Sequence, residues 1–172
     1  MRAAKATHRV RDLTAPLLLV DVDGVLSLYG GGRADPSTLA GTLVDGIPHQ
    51  LSRSAAATLL ELVPAFECVW CTGWEDRADL HLPHLLGLPR GWPHIRFPEV
   101  AEPAAHWKLA GIDAYAGPDR PLAWIDDAHD AACRDWAQRR TGPTLLVSVE
   151  PDLGLTSEHA DQLRDWIMRL RT

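Results

Sequence analysis

Short, nearly unbroken apolar runs recur along this chain, each closed by polar or acidic residues. They are LLLVDV at 17–22, ECVWCTG at 67–73, PLAWIDD at 121–127 and TLLVSVE at 144–150, with HIRFPEV at 94–100 as a further strand. A strand that faces water on one side alternates apolar and polar residues, and these runs do not. They predict strands buried on both faces, as in a parallel sheet covered by helices. The segments between them supply the helices. SRSAAATLLELVPAF (52–66) offers Ser52 or Ser54 as a cap and has Pro64 near its end. WEDRADLHLPHLLGL (74–88) opens on acids that suit a helix N-terminus, and Pro83 interrupts or kinks it. HWKLAGIDAYAG, AHDAACRDWAQRR and TSEHADQLRDWIMRL follow, the last with apolar positions at helical spacing. The prediction is an α/β fold: a three-layer, Rossmann-like, five-stranded parallel sheet with helices on both faces.

The chain has 172 residues, 46% of them hydrophobic, which suits one domain with a proper core. Residues 1–14 read as a basic, frayed tail and 15–172 as the domain. Within it, 27–50 is rich in glycine and turn residues and predicts loops around a small hairpin, with TLV (42–44) in one arm. No run approaches a membrane span, and the start lacks the long apolar region of a signal peptide, so the expected location is the cytoplasm. A net charge of -6 gives no footprint for general nucleic-acid binding. Cys68, Cys71 and Cys133 make no disulfide framework. Cys68 and Cys71 have redox spacing but lie along a strand, where thiols act as small hydrophobes. His81 and His84 lack identifiable partners for zinc, and Trp136 and Trp166 fall on helical apolar stripes.

In a parallel sheet, ligands sit beyond the carboxyl ends of the strands, where the strand order reverses. Here those ends carry Asp21 and Asp23 with Gly24, then Thr72 and Gly73, then Asp126 and Asp127 with Asp130 a turn later. Lys108 opens the helix before the third of these ends. Carboxylates, a backbone carbonyl and water suit a hard cation, above all Mg2+. A hydroxyl and amides at a helix start suit a phosphate, and an ammonium neutralises both. A carboxylate beside a metal can attack phosphorus, so the set reads as phosphoryl transfer. Each part alone has a plainer use: a turn former, a helix cap, a surface lysine. Their joint order argues for chemistry.

DVDGV, CTG, a lysine and DD, in that order over 17–149, resemble the four motifs of the haloacid-dehalogenase-type (HAD) phosphohydrolase superfamily. The resemblance implies Asp21 as nucleophile and Mg2+ ligand, and Asp23 as general acid/base whose carbonyl also holds the metal. Gly24 would let the chain turn away. Thr72 and the Gly73 amide would grip the phosphoryl group and Lys108 would stabilise its charge. Asp126 would be the distal metal ligand, with Asp127 or Asp130 as a second acid. Neither interval in which this superfamily inserts a cap, 27–50 or 89–106, is long enough for one, so no separate cap domain is expected.

WCTGWEDRA, WIDDAHD and PDLGLT are similar to small HAD domains of actinobacteria, related to those of multidomain RNA-repair proteins. That places Trp74 and Glu75, and Gly154, Leu155 and Thr156, at a substrate rim, where Trp74 could stack on a base or sugar. His106 and Trp107 read equally as rim or core. The expected partner is a phosphorylated substrate: a nucleotide, a nucleic-acid end, a sugar phosphate or a phosphoprotein. No membrane is expected, and a partner subunit could cover the open site. Two other functions compete, a phosphate-binding module that does no chemistry and a phosphotransferase with an acceptor other than water.

Overall fold

The structure, a computed structural model, describes residues 15–30, 33–97 and 106–172; the expected tail at 1–14 lies outside them. Four strands form one parallel sheet: β1 (Leu17–Val20), β4 (Glu67–Trp70), β5 (Leu122–Asp126) and β6 (Thr144–Ser148). Their spatial order is β4-β1-β5-β6. All four residues of β1 are fully buried, and alternate ones enter different cores. Leu18 and Val20 join a cluster with Ala55 and Leu59 of α1 (Arg53–Leu62), Leu82 of α2 (Asp76–Leu86) and Leu163 of α5 (Ser157–Leu170). Leu17 and Leu19 join another with Ile112 of α3 (Leu109–Ala116) and Trp136 of α4 (Ala131–Arg139). The period-two geometry of a strand therefore explains why these runs are apolar without alternation.

The expected strand at 94–100 is reduced to one parallel bridge, His94 to Trp70, with the Ile95 amide donating to the Trp70 carbonyl at 2.9 Å. Pro93 has no N–H to donate and takes part only through its carbonyl, which accepts from the Trp70 amide at 2.8 Å. Residues 98–100 of that expectation lie outside the described residues. The parallel sheet described here thus has four strands, not five.

The hairpin is longer than its sequence signal. β2 (Leu39–Val44) pairs antiparallel with β3 (Ile47–Ser52), and TLV is the last half of β2. Asp45 and Gly46 at its tip both have positive φ, 51° and 81°, as a two-residue hairpin turn demands. Ser52, not Ser54, caps α1 by accepting from the Ala55 amide at 3.1 Å. α2 runs on through Pro83 instead of stopping there and ends on Gly87 in the left-handed region. Trp136 and Trp166 are core, as their spacing predicted. Among the described residues no helix is long and apolar enough to cross a membrane.

The chain goes from β1 to β4 on one side, then crosses to β5 on the other side of β1. The strand order therefore reverses between β1 and β5, and the crevice lies beyond their carboxyl ends.

Candidate functional site

Asp21 follows the last residue of β1, and Asp126 is the last residue of β5; the Asp21 amide donates to the Ile125 carbonyl at 3.1 Å. Both carboxylates are buried, Asp126 completely. Between them sits the ammonium of Lys108, from the residue just before α3, 2.8 Å from Asp21 Oδ2 and 2.6 Å from Asp126 Oδ2. Asp126 also accepts from the Trp124 indole at 3.0 Å and the Ala128 amide at 3.0 Å, and Asp21 from the Val22 amide at 2.7 Å. A buried charge needs such partners. Burial pulls Lys108 down, but Asp21 and Asp126 outweigh it and hold the ammonium charged above its ordinary range. Burial also pushes the Asp21 carboxyl up to about 7, against the pull of Lys108. Two carboxylates face one ammonium, which leaves a negative charge uncompensated.

Asp127 adds to that excess. Its carboxyl is raised, first by burial and then by Asp126. Carboxylate oxygens of Asp21, Asp126 and Asp127 lie within 4.8 Å of one another. An all-oxygen donor set with surplus negative charge fits Mg2+. Asp130 stands outside this cluster. It caps α4, accepting from the Cys133 amide at 2.9 Å, and that bond lowers its carboxyl. Of the two rival second acids, Asp127 faces the pair and Asp130 holds a helix end.

Gly24 makes the close approach of Asp127 possible. Its φ is +75°, and a Cβ there would stand 2.4 Å from the Asp127 carboxyl carbon. The turn it begins returns at once, with the Gly24 amide donating to the Ser27 carbonyl at 2.7 Å. The Leu28 amide then bonds the Gln50 carbonyl at 2.9 Å, and the Ser52 amide the Leu26 carbonyl at 2.8 Å. These bonds fasten β3 beside the end of β1.

Asp23 is the more open acid, its side chain 36% exposed. The Trp74 indole donates to its Oδ2 at 2.9 Å. His49, on β3, stands 3.9 Å from its Oδ1, with His49 Nδ1 hydrogen-bonded to Ser27 Oγ at 2.9 Å. Thr72 is fully buried at the same sheet edge, beyond β4, and its hydroxyl accepts from the Trp74 amide at 3.3 Å. Gly73 beside it is exposed. Thr72, Asp21, Asp23, Lys108 and Asp126 therefore share one end of the sheet, as their positions at strand ends predicted.

The expected rim differs in detail. Trp74 is buried, 7% exposed, with its ring edge-on to His49 at 4.7 Å between centroids. Its indole is committed to Asp23, so it is no free stacking platform. Glu75 has a strained φ of 48° and accepts from the Phe97 amide at 3.4 Å, tying the loop to the segment after His94. Leu155 is buried and its amide donates to the Val25 carbonyl at 3.1 Å, while a Cβ on Gly154 would meet that carbonyl oxygen at 2.5 Å. Thr156 caps α5 through a reciprocal bond with His159. Gly154 and Leu155 thus brace the turn after β1, and Thr156 holds a helix end. Cys68 and Cys71 enter opposite cores, which excludes a redox pair between them.

Sequence spacing did not find Tyr29 or His49, and it left Trp107 open between rim and core. Tyr29 is 55% exposed, and its hydroxyl is raised, first by burial and then by Asp23, Asp127 and Asp21. Trp107 is 41% exposed, packs edge-on against Phe97 at 4.7 Å, and reaches within 3.7 Å of where a Gly73 Cβ would be. Trp107 is thus rim. His106 is half-buried, and burial lowers its imidazole.

No protein-family profile matches the chain. No curated protein matches it either. Among solved structures it is similar to a crystal structure of a hypothetical protein from Xanthomonas campestris, with a TM-score of 0.44 and 14% identity over 99% of this chain and 96% of that one. A likeness at this level carries no argument about activity.

Proposed function

We propose that this chain is a Mg2+-dependent phosphoester hydrolase of HAD type that works through an aspartyl phosphate. One observation carries the reading: the buried Lys108 ammonium bridges Asp21 and Asp126 at the sheet's switch point, with the open acid Asp23 two residues after Asp21. In this reading an Asp21 oxygen attacks phosphorus while the bond from phosphorus to the leaving oxygen breaks. The leaving oxygen keeps the electron pair and takes the proton of the Asp23 carboxyl, departing as an alcohol. Water then attacks the aspartyl phosphate, giving its proton to the Asp23 carboxylate. Inorganic phosphate leaves and both aspartates return to their starting states.

Lys108 holds positive charge where the phosphoryl oxygens gather, and Thr72 and Gly73 donate to them. Mg2+, held by Asp21, the Asp23 carbonyl and Asp126 with Asp127 in support, would neutralise charge on the phosphoryl group. The reading also takes the two cores as the helical layers of a three-layer, Rossmann-like fold, in a cytoplasmic enzyme without a cap. Aryl phosphate hydrolysis, measured with and without Mg2+, tests it. Turnover that requires the metal and vanishes in Asp21→Asn is expected; wild-type turnover in that variant contradicts the mechanism.

A further inference from the structure

A cavity of about 630 Å³ opens beside Asp23, between the hairpin and the Gly73–Trp74 loop. That is ample for an organic group of nucleoside or polycyclic size. Of the acids at the end of the parallel sheet, Asp23 lines it and Asp21, Asp126 and Asp127 do not; the other acid on its wall is Asp45, at the hairpin tip and paired with Arg77. If Asp23 protonates the leaving oxygen, the rest of the leaving alcohol has to extend into this space. Its chemistry can then be read from the walls.

Tyr29 and Ile47 stand exposed at its mouth, 55% and 57%, with Leu28, Val44 and Pro48 behind them. Scattered exposed apolar side chains are ordinary, but these converge on one concavity next to a reactive acid. The cations available there are few. Arg77 is paired to Asp45 at 3.1 Å, and His49 Nδ1 is engaged with Ser27. Among the described residues lining the cavity no unpaired Arg or Lys remains to meet a second anion, and Asp23 itself would repel one.

We infer that this cavity is the leaving-group site for an uncharged, largely apolar alcohol, so that the enzyme prefers monophosphate esters of such alcohols over substrates with a second phosphate or carboxylate. The inference rests on the phosphatase reading and adds its substrate class. Lys108 serves the one phosphoryl group that reacts; among the described residues lining the cavity the only Arg or Lys is Arg77, which is paired with Asp45.

Two matched comparisons test it. The first uses primary alkyl phosphates, from methyl through butyl to 2-phenylethyl, whose leaving oxygens are chemically similar. KM should fall on the order of tenfold from the smallest to the largest as apolar surface enters the cavity. Ile47→Asp and Tyr29→Ala should each flatten that gradient. The second compares a nucleoside 5′-monophosphate with its 3′,5′-bisphosphate, and kcat/KM for 5′ hydrolysis should drop about tenfold on adding the remote anion. Circular dichroism confirms that the variants fold; both substitutions lie on exposed positions. Turnover with a flat alkyl gradient, or with the bisphosphate preferred, overturns the cavity assignment alone. No metal-dependent turnover of any ester overturns the phosphatase reading and this inference with it.

Discussion

Asp23 is gripped on one oxygen and left open on the other. The Trp74 indole only donates, so Oδ2, which accepts its bond at 2.9 Å, is the acceptor oxygen and the acidic proton belongs on Oδ1. His49, 3.9 Å from Oδ1, is too distant for a hydrogen bond and leaves that oxygen free to serve a leaving group. In the proposed phosphatase mechanism Trp74 is a positioning residue for proton delivery. Removing its N–H should slow esters of poor leaving groups far more than those that leave without a proton. For Trp74→Phe, kcat/KM is expected to fall about tenfold or more on an alkyl phosphate, and by a much smaller factor on a nitrophenyl phosphate. Trp74→3-benzothienylalanine, which keeps the ring shape without the N–H, should repeat the pattern. Equal losses on both esters would show Trp74 to be packing alone. None of this was legible from spacing, since Trp74 and Asp23 meet across 51 positions of chain. By contrast Asp21, Thr72 and Asp126 were legible because each sits at or beside the end of an apolar run, and Lys108 only through its place in the joint order of the motifs.

At the scale of elements, the turn at Gly24 joins β1 to the hairpin and also leaves room for Asp127. Both demands fall on one missing side chain. Gly24→Ala requires a strained left-handed φ and displaces Asp127, and is expected to cost about 1–3 kcal/mol of stability. Mg2+ affinity, read by calorimetric titration, should weaken in the same variant; an unchanged affinity would separate Asp127 from the metal. The hairpin itself was half-visible in the sequence. Its Asp45-Gly46 turn signal fixes the pairing register, and that register brings His49 to the Asp23 side. The strand expected at 94–100 shows the opposite case. The residues at 94–97 read as the start of a strand, and the structure gives them one bridge, His94 to Trp70. Alternatives at the second acid were likewise undecidable from sequence, since Asp127 and Asp130 are both reasonable at a helix start and only packing separates their roles.

At the scale of the whole molecule, burial gathers negative charge at one edge of the sheet, and the single ammonium of Lys108 offsets only part of it. The Asp21 carboxyl, about 7 when folded against 3.8 as a free side chain, is raised by folding. Its contribution to stability is therefore complete below about pH 4 and is lost as pH rises through about 7. If Mg2+ binds as proposed it competes with the proton for this carboxylate, so the metal should stabilise the protein more at pH 8 than at pH 5.5. At a hundredfold excess over Kd the gain is about 2.7 kcal/mol, or roughly 5–10 °C in Tm for a chain of this size. Thermal melts at both pH values, with Asp21→Asn as the control that removes the dependence, check this; a pH-independent shift would place the metal elsewhere.

The central claim is that Asp21 becomes phosphorylated during turnover. Rapid acid quench of the enzyme with substrate and Mg2+, followed by peptide mass spectrometry, measures it directly. The account predicts one phosphoryl group on the peptide containing Asp21, labile to hydroxylamine and, with a nitrophenyl phosphate that leaves without a proton, enriched in Asp23→Asn, where the water step is slowed. Product formed with no phosphoryl group on that peptide in either protein would contradict it.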